Sequence, residues 1–106
     1  MSWKCEKSSE KDYRPEHEGI ALQYVCKTDG ESGWALALIN PSECEFVSLS
    51  TMPTHKGIGK TVEPLIEEEL KGHGCKTIYA LPKSTAGERL LRSTFWSPTY
   101  EWYKNI

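Results

Sequence analysis

Long apolar runs are missing from this chain of 106 residues, and nothing in it approaches the roughly 20 consecutive apolar residues that cross a bilayer. The opening MSWKCEKSSEK also lacks the apolar core of a secretory signal. Together these absences set the expectation of a cytoplasmic protein with no membrane partner. Clustered cations are missing too. The 13 lysines and arginines are scattered among 15 aspartates and glutamates, for a formal net charge of -2. A nucleic-acid partner needs a cationic face, so none is expected. The 4 cysteines form no C-x-x-C pair, and no histidine pair has zinc-finger spacing, so no metal is expected. Cys26, Cys44 and Cys75 lie in or beside strand-like runs, where a reduced thiol behaves as a small hydrophobe. In a reducing compartment all four cysteines are expected to stay unpaired. There is no internal repeat and no low-complexity segment.

What is present reads as one α+β domain. Residues 1–18 are polar and contain Pro15, which suits an arm or at best an edge strand, and a single domain is expected over 19–106. Ile20–Lys27 alternates, with Ile20, Leu22, Tyr24 and Cys26 on one face. A TDGESG turn separates it from Trp34–Ile39, which is apolar on both sides, and the two read as a hairpin. Asn40-Pro41-Ser42 breaks the chain, and Glu43–Thr51 follows as a third strand. Val62, Leu65, Ile66 and Leu70 mark a helix ending at Lys71-Gly72, with Pro64 tolerable if regular helix starts at about Thr61. Cys75–Leu81 is a fourth strand, placed by that helix as a parallel neighbour of the third. A second helix starts near Ser84 or Thr85, where Thr85-x-x-Glu88 fits a capping box, with Ala86, Leu90 and Leu91 inward. The aromatic tail, Tyr100–Lys104, reads as a last, edge strand. Trp96, Tyr100, Trp102 and Tyr103 are expected to cover a sheet edge or a contact with a second copy, which admits a homodimer.

The most informative segment is Phe46–Leu70: strand, the turn Thr54-His55-Lys56-Gly57-Ile58-Gly59-Lys60-Thr61, then helix. Such a turn exposes a row of amides where the helix dipole favours an anion, and glycine lets a ligand oxygen approach the backbone. The first reading is a P-loop, because Gly59-Lys60-Thr61 matches the end of G-x-x-x-x-G-K-[ST]. Its opening glycine is replaced by Thr54, and no later strand ends in an aspartate to hold Mg²⁺.

The second reading starts from R/Q-x-x-G-x-G/A between strand and helix, matched here by Thr54 to Gly59, with strand FVSLST before it and strand CKTIYALP after it. In this order the chain resembles the GNAT superfamily of N-acetyltransferases over about Glu43–Trp96. The resemblance implies a GNAT-like mixed sheet with an antiparallel first half, one β-α-β unit and two main helices. It implies acetyl-CoA as cosubstrate and direct transfer of acetyl to a primary amine of a protein or small molecule. It places Leu49, Ser50 and Thr51 along the pantetheine arm, the amides of Lys56 to Thr61 around the pyrophosphate, and Ser84 and Arg89 at the adenosine end. His55 stands in the phosphate turn, where it is equally read as a loose loop histidine. Glu45 is the implied base, Glu43 its rival, and Tyr79 a hydrogen-bond donor from the partner strand; all three are equally read as surface groups. The chain departs from the family in three places. Thr54 replaces the arginine or glutamine, leaving Lys56 and Lys60 to supply charge. Leu90 stands where many members carry an acidic tyrosine, and the early helices are reduced to the polar arm. These departures motivate an alternative, a catalytically weak GNAT-like module that works by protein contact.

Overall fold

Alternation builds the centre of the sheet. The computed structural model describes residues 2–13 and 19–106. In it β2 (Gly19–Thr28) and β3 (Glu31–Asn40) pair in one unbroken antiparallel register, joined at Asp29-Gly30, where Gly30 takes a φ of 77° that glycine alone adopts freely. Leu22, Tyr24 and Cys26 of β2 and Ala35, Ala37 and Ile39 of β3 all face one side and are fully buried. β4 (Glu45–Met52) adds antiparallel to β3 after a single 3-10 turn at Pro41–Glu43. The chain then leaves through α1 (Ile58–Gly72) and returns as β5 (Thr77–Ala80), parallel to β4. After α2 (Thr85–Ser93), β6 (Trp102–Asn105) closes the order antiparallel to β5. The result is a six-stranded mixed sheet, ordered β1 to β6 as in the chain, with two helices.

The first strand is β1 (Lys4–Tyr13), an edge strand paired with β2. Of the two options the sequence left for this segment, the structure takes the edge strand, so the sheet begins at Lys4 and not at residue 19. The remainder of the expected arm, residues 14–18 with Pro15, lies outside the described residues. Among the described residues no helix is long and apolar enough to cross a membrane.

α1 packs on the sheet through Ile58, Val62, Ile66 and Leu70, a stripe at helical spacing that is fully buried. Each such aliphatic side chain contributes roughly 1.5–3 kcal/mol on leaving water, before the entropy of ordering it. The helix starts at Ile58, three residues before the expected position, so Pro64 falls inside it. Its missing N–H leaves the Lys60 carbonyl without its usual partner four residues on, which an exposed residue tolerates by turning to water. Trp96 and Trp102, expected at an edge, are core residues, 4% and 6% exposed, and Trp96 packs against Phe46 at 6.4 Å between ring centroids. Tyr100 alone of that aromatic group stands free in solvent.

The cysteines overturn the expectation of free thiols. Cys5 and Cys26 are direct cross-strand partners with Cα atoms 4.2 Å apart, and they form a disulfide. Cys44, which ends the 3-10 turn, forms a second with Cys75, which precedes β5, at a Cα separation of 5.7 Å. Sequence spacing carried no trace of either, because tertiary structure brings the partners together across 21 and 31 residues. Cystines persist in oxidising surroundings, so these bridges and a reducing cytoplasm pull in opposite directions.

One close approach holds the sheet to the turn that follows β4. A Cβ added at Gly33 would overlap the Met52 carbonyl oxygen and stand 2.9 Å from Ile58 Cδ1. Gly33→Ala is therefore expected to lose roughly 2 to 3 kcal/mol, because a backbone oxygen cannot rotate away. Gly72→Ala, where the added atom meets nothing within 4 Å, serves as the control in urea titrations and should stay close to wild type.

Candidate active site

The parallel pair that makes the site is barely a pair. β4 and β5 share one register position, Glu45 opposite Tyr79, secured by the Tyr79 amide donating to the Cys44 carbonyl at 2.9 Å. β5 then ends at Ala80 and turns off through Leu81-Pro82, while β4 runs on to Met52 paired with β3 alone. The edge of β4 that faces β5 therefore presents main-chain N–H and C=O groups to an open gap. Backbone groups seek partners, so such an edge invites an extended ligand. The Cys44–Cys75 bridge closes this V at its narrow end.

The gap widens into a cleft of about 720 Å³. One wall is Leu49, Ser50 and Thr51 of β4, and the other runs from Ala80 to Ser84 and on to Arg89 and Leu90 of α2. The mouth is the turn Thr54 to Lys60, save Lys56. Leu49 and Leu90 meet across the floor beside Gly59, whose missing side chain leaves both leucines 3.5 Å from where a Cβ would stand. Ala86, Leu90 and Leu91, expected to face the core from α2, all line this cleft, and of the three Leu91 alone is buried. α2 is capped by Ser84 and not Thr85: the Ser84 hydroxyl accepts from the Gly87 amide at 3.0 Å.

At the mouth, Gly57 takes a φ of 95° as the N-cap of α1 and supplies no side-chain cap. The first helical bond runs from the Thr61 amide to the Gly57 carbonyl, so the amides of Ile58, Gly59 and Lys60 have no partner within the helix. Thr61 turns inward, its hydroxyl donating to the Gly57 carbonyl at 3.2 Å, and it does not line the cleft. Lys56 is also off the lining; its carbonyl accepts from Trp3 Nε1 at 2.8 Å, which ties the turn to the start of the chain. Trp3, Gly33 and Lys83 are the contributors that sequence reasoning missed. A lone tryptophan in a polar segment was the available signal for Trp3; Gly33 and Lys83 carried none.

The charge of the cleft is one-sided. Lys60, Lys83 and Arg89, with His55, line it, and among the described residues no carboxylate does. Glu45 and Tyr79 sit at the closed end of the V and Glu43 in the 3-10 turn, so none of the three lines the cleft. Of the residues the sequence pointed to, the structure brings together Leu49, Ser50, Thr51, Thr54, His55, Gly57, Ile58, Gly59, Lys60, Ser84 and Arg89.

Glu63 on α1 is 1% exposed, and among the described residues neither carboxyl oxygen has a hydrogen-bond partner. Burial, then the neighbouring Glu67, pushes its pKa up to about 8, against the opposing pull of Lys104. The Lys104 ammonium is itself held by Glu67 at 2.7 Å and by the Thr94 carbonyl at 2.6 Å. A folded-state pKa above the unfolded value of 4.5 means the native state holds the extra proton between those limits. Stability should therefore fall as pH rises from about 4.5 to about 8, by a few kcal/mol in all. Urea midpoints across that range should slope downward for the wild type, and Glu63→Gln should remove most of the slope.

Comparison of the chain with models of known protein families, with curated proteins and with solved structures finds no match.

Proposed function

We propose that the cleft takes acetyl-CoA and that the protein is a minimal GNAT-like N-acetyltransferase, moving acetyl directly to a primary amine of a protein or small molecule. The observation that carries this reading is the gap between parallel strands that part after one register pair, lined by cations and, among the described residues, by no carboxylate. A ligand suited to it is extended and amide-bearing at one end and polyanionic at the other, which describes pantetheine joined to a nucleotide diphosphate.

The exposed edge of Leu49, Ser50 and Thr51 can pair with pantetheine amides in the manner of an added strand. The free amides of Ile58, Gly59 and Lys60, with the Lys60 ammonium, suit the pyrophosphate. Lys83, Ser84 and Arg89 lie on the opposite wall, where the nucleotide end would rest. In the transfer, the lone pair of the neutral amine attacks the thioester carbon and a C–N bond forms. Main-chain N–H groups of β4 are suited to the developing oxyanion. The C–S bond then breaks, the thiolate leaves, and the extra proton of the nitrogen passes to water or to the thiolate. Among the described residues no carboxylate lines the cleft to take that proton, so this reading calls for an amine that arrives unprotonated.

That same lack supports a second reading, a module that keeps the coenzyme without turning it over. Glu43, Glu45 and Tyr79 all stand off the lining, which leaves the base unassigned. Thermal shift with acetyl-CoA and with ATP–Mg²⁺ tests the binding claim: stabilisation by acetyl-CoA is expected, and stabilisation by ATP–Mg²⁺ alone would restore the P-loop reading. Release of free thiol on adding protein or small-molecule amines separates the enzyme from the module.

A further inference from the structure

A second cleft, of about 540 Å³, lies at the other end of α1, between that helix and β1. The stretch of α1 that lines this cleft, Leu65 to Gly72, is centred about 14 Å along the helix axis from the Ile58 to Lys60 stretch that lines the first. Leu65, Glu68, Glu69 and Gly72 fall on one helical stripe that faces this cleft, and Lys7 and Glu10 face it from β1. The structure already holds an ammonium here. Lys7 Nζ donates to Glu10 at 2.9 Å and to Glu69 at 2.5 Å, and the two carboxylates raise its pKa.

Two features are left over once Lys7 is satisfied. Among the described residues Glu68 has no ion-pair partner, so the carboxylates outnumber the ammonium, and the negative end of the α1 dipole adds to the imbalance. In addition Tyr24, 1% exposed on the sheet floor of the cleft, carries a hydroxyl without a hydrogen-bond partner among the described residues. A buried hydroxyl left unpaired costs about 1–3 kcal/mol, so the site is incomplete as it stands. Tyr24 lines the same cleft as Lys7, Glu10, Glu68 and Glu69; burial first, then Glu69, pushes its hydroxyl up to about 12, so it stays neutral at physiological pH.

We propose that this cleft binds a free linear polyamine, one ammonium lying between Glu68 and the Tyr24 hydroxyl, a second sharing Glu10 and Glu69 with Lys7, and the methylene chain resting on Leu65. The site is separate from the coenzyme reading and does not depend on it. Lys7 acts as a tethered competitor for the second position.

Isothermal titration with spermidine at low ionic strength, without coenzyme, tests this. Saturable binding at one site is expected, weakened about tenfold by Glu68→Gln and several-fold by Tyr24→Phe, and strengthened about tenfold by Lys7→Met. The gain from Lys7→Met guards against misreading a folding defect as lost binding. Absence of saturable binding in both the wild type and Lys7→Met would overturn the proposal. So would affinities that all three changes leave within twofold, or binding that responds to Lys60→Glu in the other cleft instead.

Discussion

Reversing the charge of Lys60 and Arg89 together is expected to weaken coenzyme A binding about a hundredfold at low ionic strength, while the melting temperature stays within a few degrees of wild type. Both side chains are exposed and line the cation-rich cleft, so the change alters the ligand's electrostatic surroundings and leaves the core alone. A hundredfold loss is about 2.7 kcal/mol. That is the scale expected when two attractions to phosphate become two repulsions a few ångströms away in water-exposed surroundings. Screening sets a second signature: the gap between variant and wild type should narrow as salt rises, because exposed charges lose reach beyond the Debye length. Isothermal titration at several salt concentrations would show both. An unchanged affinity would remove the coenzyme from this cleft, whatever happens at the polyamine site.

Replacing Cys44 and Cys75 together by serine should lower stability by roughly 3 to 4 kcal/mol, the chain-entropy value for a loop of this length. The bridge spans 31 residues and encloses β4 and α1. For a domain of this size that corresponds to a fall in melting temperature on the order of 15 °C or more. The functional consequence is separate from the thermodynamic one. With a single register pair between β4 and β5, the bridge and the Tyr79 amide are what hold the narrow end of the V. The double variant should accordingly lose coenzyme affinity even at temperatures where it remains folded. Denaturant melts combined with titration of thiol groups would check this: the oxidised protein should show no reactive thiol, and the reduced, unfolded chain all 4.

The strands of the sheet were legible in the sequence because period-two alternation at Leu22, Tyr24 and Cys26 has one meaning when a face is buried. The turn at Thr54 to Lys60 was legible because glycines between strand and helix restrict what the backbone can do there. What escaped notice was set by tertiary neighbours. The preference of proline for a first turn, at Pro64, put the start of α1 at about Thr61, whereas packing of Ile58 against the sheet draws it forward over Gly59. The polar sequence of β1 left an arm and an edge strand both open, because the partners that decide it, Cys26 and Tyr24, are supplied by β2. The catalytic guesses rested on a strand register that the 3-10 turn at Pro41–Glu43 displaces, leaving Glu43 and Glu45 away from the cleft. Disulfide pairing was unreadable, since four cysteines admit three connectivities besides none at all.

Of the 4 tryptophans, Trp3, Trp96 and Trp102 are 7%, 4% and 6% exposed, whereas Trp34 is 40% exposed. It stands in a cross-strand row between Val25 and Met52, with Leu36 nearby, on the side of the sheet opposite the core. The molecule thus carries its own optical probe of that side. A collisional quencher such as acrylamide or iodide will reach Trp34 first and dim its red-shifted emission, leaving the three inner indoles bright. Anything that settles over β3 will shield this fluorophore, and the event can be followed in a cuvette without attaching a label.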